Sequence, residues 1–247
     1  RDIDPLAVED YFSFGYVPDP RCIYRNAHKL PSAHTLTLRR GNATQAQPVP
    51  YWDVHFSNDN PINQADAEAE LRDRVRESVK LRLKADVPLG AFLSGGVDSS
   101  TIVGLMARHV KEPVKTFCIG FEDPRYDESA FAAQAAQRFG CQHTAEVAEL
   151  NMLGRWPHVL HHLDQPHGDA SFMPTLRVSE LAAKHVKVVL TGDGGDELFA
   201  GYDKYAQFFA RPDAFTLPQA VFERAYFDSI SLFSPAAKNA LYRPEVR

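Results

Sequence analysis

The stretch Ser94-Gly95-Gly96-Val97-Asp98-Ser99-Ser100 combines two glycines, three hydroxyls and one carboxylate. It follows the apolar run Leu89-Gly90-Ala91-Phe92-Leu93 and leads into a helix-like segment with Ile102, Val103, Met106 and Val110 apolar. A strand that ends in two glycines and then opens a helix is a phosphate-binding device. Glycine lets backbone N–H groups turn toward an anion, and the helix N-terminus adds partial positive charge. Ser94, Ser99 and Ser100 supply further hydroxyl donors. Asp98 repels phosphate unless a cation stands between them, which implies Mg²⁺. The loop is not a Walker A, since it lacks G-x-x-x-x-G-K-S/T. The plain alternative is a Gly-Gly turn ahead of an N-capped helix.

A second stretch has related chemistry. After the apolar run Val186-Lys187-Val188-Val189-Leu190 the chain reads Thr191-Gly192-Asp193-Gly194-Gly195-Asp196-Glu197-Leu198-Phe199-Ala200-Gly201-Tyr202. Like charges held this close raise one another's pKa values unless a cation neutralises them. A hard cation with oxygen ligands is the natural partner, and Mg²⁺ typically takes one or two carboxylates plus waters and phosphate oxygens. Asp98 and Asp196 are candidate metal ligands across such a site. The plain alternative is a solvated acidic turn.

The elements around these loops alternate. Strands are expected at 89–93, 114–121, 144–148 and 186–190, and helices at 99–110, 129–139, 152–162 and 175–185. This pattern predicts an α/β fold, a parallel twisted sheet with helices on both faces. Ligands in such sheets sit beyond the carboxyl ends of the strands, so the loops after Leu93, Phe121 and Leu190 are the informative ones. Ahead of them, residues 65–84 read as a helix with Leu71, Val75, Val79 and Leu83 spaced by four. Residues 4–11 read as a short helix, His34 to Gly41 alternates like a strand, and 45–50 reads as a polar, proline-bearing stretch ahead of Tyr51-Trp52. Residues 58–63 read as a linker or helix entry.

The first loop resembles the pyrophosphate loop of the PP-loop synthetases, which cleave ATP between its α and β phosphates. Together, Pro88 to Ser100 and Leu190 to Tyr202 resemble glutamine-hydrolysing asparagine synthetase. Leu163-Asp164-Gln165-Pro166-His167-Gly168-Asp169-Ala170-Ser171 is similar to that family's substrate-side loop, and Leu30-Pro31 and Tyr51-Trp52-Asp53 to the tail of its N-terminal glutaminase domain. The resemblance implies an adenine nucleotide alpha hydrolase-like fold over 57–247, with 1–56 as glutaminase tail and linker. It implies a carbon–nitrogen ligase in the cytoplasm that converts aspartate to asparagine through β-aspartyl-AMP, using ATP, Mg²⁺ and ammonia from glutamine. It also implies that Ser94, Gly95, Gly96, Asp98, Ser99 and Ser100 hold the pyrophosphate and its metal. Leu93, Ile119, Thr191 and Gly192 line the adenine pocket, Asp193 serves acyl-adenylate formation, and Asp196 is the second metal carboxylate. A homodimer stays open as an assembly. So do a nucleotide-binding module without turnover and a PP-loop synthetase acting on another carboxylic acid. Thr191 stands where the family commonly has Ser, and Asp193 where it often has Glu. Ala170 stands where some members place an arginine near the substrate.

Bulk composition agrees with a globular chain: 247 residues, 44% hydrophobic and 24% charged. The net charge of −5 and the lack of a basic block speak against nucleic acid. No run approaches the length that spans a membrane, and no signal peptide opens the chain. Cys22, Cys118 and Cys141 form no C-x-x-C or zinc pattern and suit a reducing compartment. With Arg1 first, Cys22 in a proline-rich loop, and Glu245-Val246-Arg247 last, the chain reads as a fragment of a longer polypeptide with no glutaminase nucleophile of its own. The catalytic lysine and arginine that the resemblance implies fall beyond residue 247.

Other residues carry weaker signals. His158, His161 and His162 have metal-compatible helical spacing, but the helix-surface reading is preferred. Cys118 reads as core, Phe208-Phe209 and Tyr226-Phe227 as core or interface, and Lys204 as surface. Arg125 and Tyr126 are candidate nucleotide contacts. Glu197 either shares the metal site or caps the following helix.

Overall fold

A computed structural model describes residues 2–41, 46–55, 57, 61–148 and 153–242. The expected linker residues Asn58, Asp59 and Asn60, the start of the polar stretch at Gln45, the helix start at Met152 and the closing Glu245-Val246-Arg247 lie outside these. The chain divides into two compact units. One comprises Arg1–Asn60, Pro157–Asp169 and Asp203–Arg247, the other Pro61–Trp156 and Ala170–Tyr202.

The second unit holds the sheet. Strands β3 (Leu89–Phe92), β4 (Lys115–Gly120), β5 (Gln142–Val147) and β6 (Val188–Leu190) lie in the order β5-β4-β3-β6, and every pairing is parallel. The α/β expectation is met. Helix α2 (Gln64–Arg82) precedes the sheet, and α3 (Val97–His109), α4 (Ser129–Phe139) and α6 (Phe172–Ala183) connect its strands.

Alternation along the strands divides the core between two faces. Ala91 and Leu93 from β3 and its end, with Cys118 of β4, pack with Val79 of α2, Val103 and Met106 of α3, and Ala132 and Ala136 of α4. Phe117, one residue from Cys118, packs with Leu181 and Ala182 of α6 and with Val186, joined by Phe92 and Ile119. Each large side chain buried this way contributes about 1.5–3 kcal/mol. In β6, Leu190 borders the first cluster and Val189 the second, so this strand obeys the same period.

Element boundaries shift for identifiable reasons. Helix α6 begins at Phe172, three residues ahead of expectation, because Pro174 falls in its first turn, where a missing N–H leaves no bond broken. A 3₁₀ turn at Leu153–Arg155 precedes α5 (Trp156–Leu163), again with proline, Pro157, in the first helical turn. In α2 only Val79 of the expected apolar stripe is buried, while Leu71 is 42% exposed.

The first unit carries α1 (Pro5–Phe14), α8 (Asp203–Phe209), α9 (Gln219–Ile230) and α10 (Pro235–Leu241). Asp4 caps α1 by accepting from the Leu6 amide at 3.0 Å, and Gly15 ends it in the left-handed region at φ 80°. Lys238 of α10 is buried and donates to Glu9 and to Ser13 Oγ at 2.9 Å, while Tyr242 also donates to Glu9. The Lys238 and Tyr242 bonds hold the Glu9 carboxyl below its ordinary range, and burial, with the bond to Glu9, raises the Tyr242 phenol to about 12. Phe208, Phe209, Phe222 and Tyr226 interlock between α8 and α9.

One expectation in this unit is corrected. Of the stretch from His34 to Gly41, only β1 (His34–Thr35) is strand, paired antiparallel with β2 (Val49–Pro50). Leu36 and Leu38 are 41% and 62% exposed. Alternation predicts a strand only where one face can be buried, and among the described residues no layer buries this one.

Candidate functional site

Strand order places the site. From β3 the chain steps to β4 and β5 on one side, then returns to lay β6 against the opposite edge of β3. The order therefore reverses between β3 and β6, and ligands of open α/β sheets bind at the carboxyl ends of strands at such a point. The residues that follow β3 are 93–96 and those that follow β6 are 191–194, so both glycine-rich loops open there.

The first loop is a pinned turn. Gly95 has φ 89°, and a β-carbon on it would stand 2.5 Å from the Ala132 amide nitrogen, so the turn lies directly on the start of α4. The Ser99 hydroxyl receives the Ser94 amide at 3.3 Å, lies 3.0 Å from Ser94 Oγ and donates to the Gly96 carbonyl at 3.3 Å. Ser94 Oγ in turn accepts from the Gly96 amide at 3.2 Å. Gly96 is the N-cap of α3 and supplies no side-chain cap, so the helix start points bare amides at the turn.

The second loop settles on that helix. A β-carbon on Gly192 would meet the Ser99 amide nitrogen at 2.7 Å and the Asp98 carbonyl carbon at 2.9 Å. Gly194, at φ 89°, then opens the short helix α7 (Gly195–Phe199). The Asp193 amide donates weakly to Thr191 Oγ1 at 3.4 Å, and the Tyr202 hydroxyl donates to Glu197 at 2.7 Å.

Between the loops lies a cleft of about 820 Å³, within the range typical of small-molecule sites. Of the residues expected in the site, Ser94, Gly96, Asp98, Ser99, Thr191, Gly192, Asp193 and Asp196 line it. Leu93 does not: its side chain is buried in the core, and its amide donates to the Phe117 carbonyl at 2.9 Å. Gly95 lies against α4, Ser100 donates its amide to Gly96 inside α3, and the Ile119 side chain packs beside Phe117.

Other lining residues were not anticipated: Phe92, Val97, Glu128, Gly194, Gly201 and Tyr202. Glu128 ends the loop after β4. Its neighbour Asp127 accepts from the Phe121 amide, the Ser129 amide and the Ser129 hydroxyl at 3.2, 3.1 and 2.9 Å, bonds that lower the Asp127 pKa. Arg125, singled out in that loop, instead grips Asp123 and lies over the Tyr126 ring. Only its position after a strand could have pointed to Glu128.

The electrostatics are one-sided. Asp98, Glu128, Asp193, Asp196 and Glu197 line the cleft, and among its described lining residues there is no lysine, arginine or histidine. Among the described residues, Asp98, Glu128, Asp193 and Asp196 have no ion-pair partner. A phosphate entering here meets bare amides and hydroxyls on one side and carboxylates on the other, an arrangement that fits a hard cation between them. No group of three or more His, Cys, Asp or Glu among the described residues could hold a metal alone. A cation in the cleft would therefore draw oxygens from phosphate or water, as Mg²⁺ ordinarily does.

His158, His161 and His162 are exposed on α5 with rings 4.7 and 5.3 Å apart. Cys118 is buried, and desolvation pushes its thiol up to about 11, which keeps it protonated. Lys204 belongs to the first unit, with its ammonium 5.4 Å from the Tyr205 ring centre. No described helix is long and apolar enough to cross a membrane.

Fold and site thus define an α/β protein with an acidic, glycine-rich cleft at the switch point of a parallel sheet. The family model for asparagine synthase matches residues 70–245, and the chain belongs to that family. It is 38% identical over 210 residues to a Methanocaldococcus jannaschii protein assigned as asparagine synthetase (glutamine-hydrolyzing) 2, covering 82% of this chain and 39% of the relative. It is 33% identical to asparagine synthetase (glutamine-hydrolyzing) 1 of Bacillus subtilis, covering 83% and 32%. It is 34% identical to amidase chyE of Penicillium rubens, covering 88% and 38%. The chain spans between 32% and 39% of the length of these relatives.

Proposed function

We propose that this chain forms the ATP-cleaving part of a glutamine-dependent asparagine synthetase, a carbon–nitrogen ligase. The observation that carries this reading is the meeting of the Ser94–Ser100 turn and the Thr191–Glu197 turn in one acidic cleft at the reversal between β3 and β6. Family membership and the relatives named asparagine synthetase support it.

The side-chain carboxylate of aspartate attacks the α-phosphorus of ATP. The bond to the β-phosphate breaks, giving β-aspartyl-AMP and pyrophosphate. Ammonia then attacks the acyl carbon, the bond to AMP breaks, and asparagine forms with loss of a proton. Such transfer asks the protein chiefly for positioning and charge neutralisation. The turn of Ser94, Gly95 and Gly96, with Ser99 and Ser100 at the start of α3, receives the pyrophosphate through amides and hydroxyls. Backbone groups at Leu93, Ile119, Thr191 and Gly192 border the adenine, and Asp193 stands where the acyl-adenylate forms. Asp98 and Asp196 hold Mg²⁺, which when bound neutralises phosphate oxygens. Ammonia comes from glutamine through a glutaminase domain, of which residues 1–56 are the tail. The site works in the cytoplasm, and a homodimer is its proposed assembly.

A second reading concerns the acceptor. Asp193 and Ala170 depart from the pattern that accompanies aspartate, and one relative is named an amidase. These observations favour including other carboxylic acids. The assay supplies ATP, Mg²⁺, ammonium and either aspartate or another acid, and measures pyrophosphate and AMP. Release with aspartate supports the first reading, and release with another acid alone supports the second. Nucleotide binding without release under every condition leaves a binding module and refutes both.

A further inference from the structure

Two adjacent glycines in the second loop answer different demands. Gly194 has φ 89°, and a β-carbon on it would meet nothing within 4 Å, so only its backbone needs glycine. Gly195 lies at the start of α7 without a positive φ, so its backbone does not need glycine. Its missing side chain is where the Asp98 carboxylate sits. A β-carbon on Gly195 would stand 2.5 Å from Asp98 Cγ and 3.0 Å from Oδ1, with Oδ2 nearer still. The relation recurs at the other carboxylate. A β-carbon on Gly201, likewise without a positive φ, would overlap Asp196 Oδ1 and stand 3.0 Å from its Cγ.

We propose that Gly195 and Gly201 are positioning residues: by leaving out a β-carbon they fix where the Asp98 and Asp196 carboxylates point, and so set the affinity of the cleft for its divalent cation. This inference rests on the assignment of both carboxylates to Mg²⁺. Neither carboxylate has an ion pair among the described residues to orient it. Steric exclusion by a close backbone therefore takes the place of the hydrogen-bonding partners that commonly orient metal ligands. A methyl group at Gly195 collides with a side chain that can rotate, so the carboxylate turns away and the fold survives.

A double-mutant cycle tests this, using Gly195→Ala, Asp98→Ala and the pair on the full chain. Mn²⁺ binding is read by electron paramagnetic resonance in the presence of α,β-methylene-ATP, which cannot be cleaved at the bond in question. AMP binding is read by calorimetry, since AMP carries no pyrophosphate. Gly195→Ala is expected to weaken Mn²⁺ binding by roughly tenfold to a hundredfold, to leave AMP binding within about threefold, and to add nothing in the Asp98→Ala background. Unchanged Mn²⁺ binding overturns the positioning role. Equal losses in both backgrounds overturn it too, because Gly195 then acts through the backbone of α7. Unchanged binding in Asp98→Ala overturns the cation assignment itself, and the positioning role with it. If Gly195→Ala fails to fold, recovery of a cooperative melt in the double variant supports the collision, and failure of both overturns it. Gly201→Ala with Asp196→Ala forms a parallel cycle with the same expected pattern.

Discussion

Gly192 lies so close to the first turn of α3 that a β-carbon on it would stand 2.7 Å from the amide nitrogen of Ser99. The contact is backbone to backbone, so no rotamer change relieves it. It joins the loop after β6 to the helix that follows β3, and the spacing between the two halves of the cleft depends on it.

Gly192→Ala is therefore expected to push the Thr191–Asp193 segment off α3. Misplacement of about 1 Å in a positioning-driven reaction costs about a hundredfold in rate. Pyrophosphate release should fall by that order, with a smaller change in melting temperature. Wild-type turnover in this variant would show that the loops tolerate a wider separation.

Gly194 gives a contrasting outcome. Its demand is left-handed backbone alone. Gly194→Ala should destabilise the protein by about 1–2 kcal/mol, and Gly194→Asn by less, since asparagine tolerates that region. Denaturant melts of the two variants check the order.

Asp127 anchors the start of α4, against which Gly95 rests. Asp127→Ala removes the acceptor of three hydrogen bonds and is expected to lower stability by about 1–2 kcal/mol. Because the Ser94–Ser100 turn leans on that helix start, ATP affinity on the proposed reading should fall alongside. Lost stability with intact ATP affinity would separate the turn from its support.

His143 of β5 provides a pH signature. Burial lowers its pKa from the ordinary 6.5, its Nδ1 shares a hydrogen bond with Thr116 Oγ1 at 2.9 Å, and Nε2 is buried without a partner among the described residues. The folded chain favours the neutral ring, while the unfolded chain takes up a proton near 6.5. This contribution to stability is therefore complete above 6.5 and declines as pH falls below it toward the lowered folded value. His143→Gln should flatten the fall of melting temperature as pH drops below 6.5. An unchanged slope assigns the acid sensitivity to other groups.

The sheet-bearing unit is the more legible in sequence. Helix α4 runs over Ser129–Phe139 as expected, because small and apolar residues repeat at helical spacing and Gly140 ends it in the left-handed region. Both loops were readable because glycine, hydroxyl and carboxylate chemistry concentrates beside apolar strands. Glu128 was not, since a single carboxylate after a strand looks like any solvated turn. The clustering of residues 157–169 and 203–247 with 1–60 was also hidden, because long-range packing leaves no local period. The Lys238–Glu9 pair that joins α10 to α1 is an example.

The pairing of β3 with β6 has a consequence for how the protein comes to exist. Leu89 of β3 lies opposite Val188 of β6, which emerges about a hundred residues later in synthesis. A nascent chain carries the complete Ser94–Ser100 turn long before Gly192 can meet Ser99. The cleft thus forms only after β6 has emerged, and on the proposed reading nucleotide affinity rises only once the sheet has taken up that strand. Nucleotide binding would accordingly report completed folding during translation, and chains halted before Thr191 would stay blind to ATP.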